Sequence, residues 1–314
     1  MEKLKVIFMG TPEFSVPILL GLINKYEVVL VVSQPDRKVG RKKEVKVTPI
    51  KEVCLLNNIE VFQPTNIKLE NEKILSTECD IIITCAYGQI IPSEILSYPR
   101  LGCINVHGSL LPKYRGGAPI HHSIINGDSK TGITIMYMDK MMDSGDIISQ
   151  SEIDILDSDN VDSLFNKMSH LGRDLLLDTM PSIIDGSNDR VCQNIDEVSF
   201  GYNITREEEL IDFCKSSREV FNQIRGLSSV PGAYTLLDGN VFKVYDSRIG
   251  TGSFEKCGII TKIYNDGIGV STADGEIILT KIKPFGKKMM LAKDFILGIN
   301  KDNYIGKVLG NENN

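Results

Sequence analysis

At 314 residues, with 42% apolar and 24% charged side chains and no Trp, the chain has the composition of a folded globular protein long enough for two domains. That composition excludes the disordered and fibrous classes, and a net charge of −6 argues against coating nucleic acid by bulk electrostatics, leaving only a local basic patch for that purpose. No apolar run approaches the roughly 18 residues of a membrane span. The opening MEKLKVIFMG carries too short an apolar run for a signal peptide. Seven cysteines, odd in number and without a C-x-x-C pair, fit reduced thiols in a cytoplasmic setting.

The first half alternates. LKVIFM (4–9), EVVLVVS (27–33), DIIITCAY (80–87) and CINVH (103–107) are short, β-rich and apolar, as strands covered on both faces must be. Helical segments are predicted near 15–25, 49–57 and 68–77, so the order is βαβα and the sheet mostly parallel. TGITIMYMD (131–139) alternates as one more strand. Apolar residues at 161, 164, 165, 168, 171, 175 and 176 then follow helical spacing as far as Ile184. Residues 185–205 are polar and turn-rich, as a linker would be. A helix is predicted over roughly 206–226. The β runs AYTLL, VFKVY, CGIITKIY, GIGVST and EIILTKI follow, punctuated about every ten residues, as in a small antiparallel barrel.

Three stretches could carry chemistry. After the first strand, FMGTPEFS has Gly10 followed by Thr11 and Pro12. It lacks the second and third glycines of a dinucleotide fingerprint, so a tight strand-to-helix turn is favoured over a nicotinamide site. In CINVH, Asn105 and His107 share a strand face at a carboxyl end, where parallel α/β sheets place ligands. The loop MMDSGD (141–146) follows the next strand and offers Asp143. A neutral amide donor, a titratable imidazole and a carboxylate suit a tetrahedral intermediate with a developing oxyanion. A purely structural histidine stands beside that reading. No Ser or Cys has a nucleophile-elbow context, and His107, His121, His122 and His170 lack metal-ligand spacing, so no metal is expected. The third stretch, QPDRKVGRKKEVKVTPIK (34–51), sets seven basic residues against Asp36 and Glu44. It is either a solvated loop or a contact for a phosphate-rich partner.

FMGTPEF, QPDRKVGRKK, AYGQIIP, LGCINVHGSLLPKYRGGAPI and MDSGDI, in this order, resemble the methionyl-tRNA formyltransferases, and the likeness runs from about residue 4 to 300. The NVHGSLLPKYRGGAP loop is shared with other users of 10-formyltetrahydrofolate, so by itself it gives only the superfamily. The resemblance implies a doubly wound, mostly parallel α/β formyltransferase domain over 1–189 and a linker over 190–205. It implies a small antiparallel β-barrel of the oligonucleotide-binding type over 206–314 that contacts tRNA. It implies Asn105, His107 and Asp143 as the catalytic trio and Ser109, Leu110, Leu111 and Pro112 lining the folate site. Arg37, Arg41, Lys42, Lys43 and Lys46 would contact the acceptor end of initiator methionyl-tRNA, with Arg41 prominent. The donor would be 10-formyltetrahydrofolate, without metal, and the enzyme a monomer. Two departures stand out: Ile211-Asp212-Phe213 where relatives carry I-D-W, and Ser229-Val230-Pro231-Gly232-Ala233 in place of a Pro-Trp-Pro-like turn. The rivals are a formyltransferase acting on a sugar-nucleotide amine and a non-catalytic RNA-binding protein.

Overall fold

The computed structural model describes residues 3–39, 44–252 and 254–310. The chain forms two compact units. One runs to Pro119 and takes in Thr131–Ile153 and Phe165–Tyr202; the other holds Ile120–Lys130, Asp154–Leu164 and the chain from Asn203 onward.

The elements begin with β1 (Lys5–Gly10), α1 (Val16–Lys25), β2 (Glu27–Val32), the short strands β3 (Arg37–Val39) and β4 (Glu44–Lys46), and α2 (Pro49–Asn57). They continue with β5 (Val61–Phe62), α3 (Glu72–Leu75), β6 (Ile81–Cys85), α4 (Ser93–Leu96), β7 (Cys103–His107), α5 (Pro119–Ile125), β8 (Lys130–Tyr137), β9 (Ile147–Asp154) and α6 (Val161–Asp185). Seven strands make one sheet in the order β5-β2-β1-β6-β7-β8-β9. From β5 to β7 all pairings are parallel, and β8 runs antiparallel to β7. The strand order reverses between β1 and β6, as in a doubly wound sheet. Val6, Phe8, Ile81 and Ile83 are buried on one face and Ile7, Met9, Leu30 and Ile82 on the other, which accounts for the unbroken apolar runs of these strands. Each such side chain contributes about 1.5–3 kcal/mol by leaving water.

Local chemistry sets the helix ends. Thr48 caps α2 by accepting from the Lys51 amide, Pro49 opens it, and Asn58 closes it in the left-handed region at φ 54°. A Cβ at Gly21 of α1 would lie 2.8 Å from Arg173 Cγ of α6, so glycine allows the two helices to approach. The predicted helix near 68–77 shrinks to the single turn of α3. Strand β9 escapes the sequence reading because an edge strand with polar, half-exposed residues offers little apolar signal. Among the described residues no helix is long and apolar enough to cross a membrane.

The second unit contains α7 (Ser217–Leu227), β10 (Ala233–Leu237), β11 (Asn240–Ile249), β12 (Ile260–Ile263), β13 (Ile268–Ser271), β14 (Glu276–Lys283), β15 (Met290–Leu291) and α8 (Ala292–Ile296). Its six strands form an antiparallel sheet in the order β10-β11-β14-β13-β12, with β15 on β14. Every β run predicted for this half is found. The helix predicted from 206 starts only at Ser217, because Ser216 and Glu219 close a reciprocal capping box. Val220, Ile224 and Leu227 of α7 pack with Val244, Leu279 and Phe295 in one core. Buried Arg225 donates to the carbonyls of Leu156 (2.7 Å) and Asp159 (3.1 Å), tying the 154–164 segment into this unit. The expectation of reduced thiols is corrected here: Cys214 and Cys257 are joined by a disulfide, their Cα atoms 5.3 Å apart. The turn before α7 and the β11–β12 connection bring together residues 43 apart in sequence, a proximity that cysteine spacing does not reveal. Cys54, Cys79, Cys85, Cys103 and Cys192 are free.

Candidate active site

β7 ends at the carboxyl edge of the parallel strands, with Asn105 and His107 on one face of it. Thr84, the partner of Asn105 across to β6, donates its hydroxyl to Asn105 Oδ1 at 2.9 Å. That bond orients the amide and leaves Nδ2 turned toward Asp143 Oδ1, 3.4 Å away. His107 is buried. Its Nε2 lies 3.1 Å from the Tyr114 carbonyl, which can only accept, so Nε2 carries a proton. Nδ1 is the other ring nitrogen, and it faces Asp143 Oδ1 at 3.7 Å. The three side chains predicted as a trio converge.

Asp143 arrives by a loop that must fold back, since β8 runs antiparallel to β7 and ends beside its start. Asp143 has φ 50° and Tyr114 φ 58°, left-handed values for residues other than glycine. Such conformations cost about 1–3 kcal/mol each and persist where the surroundings over-determine them. The Gly116 amide donates to Asp143 Oδ2 at 2.8 Å. Gln193 Nε2 donates to the carbonyls of Asp143 (2.9 Å) and Gly145 (2.8 Å), and Gln193 Oε1 accepts from Arg115 Nε (3.0 Å) and Nη2 (2.8 Å). A side chain at Gly145 would collide with the Tyr137 carbonyl, which explains the glycine in MDSGD. Sequence reasoning missed Thr84, Arg115, Gly116 and Gln193. Thr84 could have been found by aligning β6 with β7, whereas Gln193 sits in a polar stretch with no local signal.

The loop Ser109–Pro112 follows β7 directly. Ser109 is buried and donates to the Lys113 carbonyl at 2.6 Å, and Leu111 is buried too. The Thr134 hydroxyl donates to the Ser109 carbonyl (2.6 Å) and accepts from the Leu111 amide (3.1 Å), while Gln150 Nε2 donates to the Leu111 carbonyl at 2.9 Å. Leu110 and Pro112 are half-buried, so the loop offers a ligand mainly backbone and these two side chains.

Burial pushes the thiols of Cys85 and Cys103 up to about 12, which leaves neither a thiolate nucleophile near neutral pH. At the first glycine loop, a Cβ on Gly10 would meet Phe8, Ser15 and the Cys85 carbonyl within 3.0 Å, so this glycine serves packing. A cleft of about 580 Å³ lies at the opposite end of the sheet, beside the starts of β1 and β6. Its Lys5 pairs with Glu78 and its Arg100 with Asp80, both at 2.7 Å.

The basic stretch leaves the carboxyl end of β2 as the antiparallel pair β3–β4, in which Arg37 stands opposite Lys46, both exposed. Three strand spacings separate β2 from β7, about 14 Å along the same sheet edge. Arg41, Lys42 and Lys43 lie outside the described residues. At the base of the pair, Lys51 Nζ bonds Asp36 (2.5 Å) and Gln63 (2.7 Å), so this lysine is already engaged.

The formyl transferase family model matches residues 3–180, and the formyl transferase C-terminal domain model matches residues 203–300. A methionyl-tRNA formyltransferase of Streptococcus agalactiae is 47% identical over 310 residues, covering 98% of this chain and 99% of its own. One from Bacillus cereus is 48% identical over 312 residues, with 98% and 99% covered. One from Staphylococcus aureus is 47% identical over 309 residues, with 97% and 99% covered. Among solved structures, the sugar 3N-formyl transferase WlaRD superposes with a TM-score of 0.66 at 23% identity, over 92% of this chain and all (100%) of its own. HypX from Aquifex aeolicus gives 0.67 at 15% identity, over 95% of this chain and 49% of its own. At these identities the likeness is one of fold.

Proposed function

The chain belongs to the methionyl-tRNA formyltransferase family, and from that premise we propose that it transfers the formyl group of 10-formyltetrahydrofolate to the α-amine of methionine on initiator methionyl-tRNA. The observation that carries the chemistry is the convergence of Asn105, His107 and Asp143 at the carboxyl end of β7. The free amine attacks the formyl carbon, forming the new C–N bond and driving charge onto the carbonyl oxygen. Asn105 Nδ2 and protonated His107 Nδ1 donate to that oxygen. Preorganised donors of this kind are each worth about 10²–10³ in rate. Asp143 accepts the proton shed by the amine and holds the imidazolium. The proton passes to the folate nitrogen as its bond to the formyl carbon breaks, leaving N-formylmethionyl-tRNA and tetrahydrofolate.

The Ser109–Pro112 loop would hold the folate, with its backbone pinned by Thr134 and Gln150. Arg37, Lys46 and their neighbours Arg41, Lys42 and Lys43 would contact acceptor phosphates. Residues 1–189 are assigned the chemistry and 206–314 a tRNA surface, in a cytoplasmic enzyme of protein synthesis. The test offers purified protein and 10-formyltetrahydrofolate either charged initiator tRNA or a sugar-nucleotide amine. Formylation of the tRNA alone is expected, and formylation of the sugar nucleotide alone would overturn the assignment.

A further inference from the structure

Residues 199–201 form a short parallel ladder against the active-site loop. The Arg115 amide donates to the Ser199 carbonyl (2.9 Å), the Gly201 amide to the Arg115 carbonyl (2.8 Å), and the Ala118 amide to the Gly201 carbonyl (2.8 Å). Phe200 stands directly across from Arg115. The next residue, Gly116, gives its amide to Asp143 Oδ2 at 2.8 Å. By backbone geometry, Phe200 Cα lies within about 10 Å of the Asp143 carboxylate. A Cβ at Gly116 would sit 2.8 Å from the Gly201 carbonyl, so this register tolerates no drift.

Phe200 and Tyr202, two apart on one side of the extended segment, stack face to face with ring centroids 5.1 Å apart and planes within 6°. Phe200 is 48% exposed and Tyr202 58% exposed, although stacking already covers one face of Phe200. Scattered surface aromatics need no explanation, but a parallel two-ring step held this firmly beside a reaction centre does. Tyr87 and Tyr114 are buried, and the Arg190 guanidinium lies 4.0 Å over Tyr137. An amine esterified through its amino acid to a terminal ribose brings that ribose's base within about the same reach, roughly 10 Å.

We propose that Phe200 and Tyr202 form a stacking subsite for the terminal nucleobase of the aminoacylated acceptor, positioning its amine for attack. The proposal rests on the tRNA reading above. Base–aromatic stacking tolerates any base but favours the larger face of a purine.

The test measures inhibition by 3′-methionylamino-3′-deoxyadenosine, a stable mimic of the charged end, and by the same amide on a ribose lacking the base. Phe200→Leu keeps bulk without the π-face and should weaken the adenosine compound about 10- to 100-fold, with Tyr202→Leu acting in the same direction. Both variants should leave the base-free compound and folate affinity unchanged, and Phe200→Tyr should restore binding. Unchanged inhibition by the adenosine compound in Phe200→Leu, with wild type still formylating charged tRNA, would overturn the stacking subsite alone. Equal weakening of both compounds would also overturn it, assigning the rings to loop support. A wild type inert toward charged tRNA would overturn the tRNA reading and the subsite with it.

Discussion

The end of β7 and the β3–β4 pair are both polar, both at the carboxyl edge of one sheet, and built on opposite principles. At the end of β7 each of the three side chains is held by a side chain or a backbone group: Thr84 aims Asn105, the Tyr114 carbonyl fixes the His107 tautomer, and the Gly116 amide and Gln193 hold the Asp143 loop. In the β3–β4 pair, Arg37 and Lys46 project into solvent from three-residue strands anchored at the base by Lys51, Asp36 and Gln63. Preorganised dipoles lower a barrier, and exposed charges attract a polyanion. One region should therefore govern turnover and the other binding and its salt dependence.

The largest effect should come from the trio. His107→Ala or Asp143→Ala should lower kcat about 10²–10⁴-fold, and Asn105→Ala about 10²–10³-fold, in steady-state formylation assays with tRNA affinity little changed. Gln193→Ala comes next. Losing the clamp lets the Asp143 loop drift, and misplacement near 1 Å can cost up to about 100-fold, so kcat should fall roughly 10- to 100-fold. Folate affinity, measured by titration, should hold in that variant. A Gln193→Ala enzyme with wild-type kcat would show that the β7 end does not need its supports.

Effects on the basic pair should be smaller and of another kind. Replacing Lys42, Lys43 and Lys46 with Gln should flatten the log–log salt dependence of tRNA affinity by about two to three units while saturating turnover holds. Superimposable salt slopes would reduce the stretch to solvated surface. Smallest of all should be Asp36→Asn. The Gln63 hydrogen bond, then that of Lys51, holds the Asp36 carboxyl below the usual carboxylate range. A lowered folded value means this contribution is complete above the unfolded value near 4 and fades as pH falls through the folded one. For a half-buried pair at the protein surface it is worth about 1 kcal/mol or less. Thermal melts should show a slight loss at neutral pH that disappears in acid.

How much of this was legible in sequence follows from where the signal resides. The apolar strands of both units, and the shared face of Asn105 and His107 at the end of β7, could be read because apolar periodicity and strand-end position are local properties. Asp143 was legible only as a polar loop after a strand, since its return across antiparallel β8 depends on the Gly145 turn and on Gln193, fifty residues away. The 185–205 stretch reads as linker because its work is done by backbone groups and by scattered polar side chains such as Asn188, Arg190, Gln193 and Ser199. The second unit includes 120–130 and 154–164 and holds the latter through Arg225, a contact between carbonyls and a guanidinium that no composition shift announces. The Cys214–Cys257 bond likewise depends on two loops meeting.

Single-turnover formylation of charged initiator tRNA, measured at saturating enzyme across a salt series, tests the division most directly. For Asn105→Ala, His107→Ala and Asp143→Ala the limiting rate should collapse at every salt concentration while the salt slope of binding stays that of wild type. Near-wild-type limiting rates in all three variants would contradict the assignment of this trio as the catalytic centre.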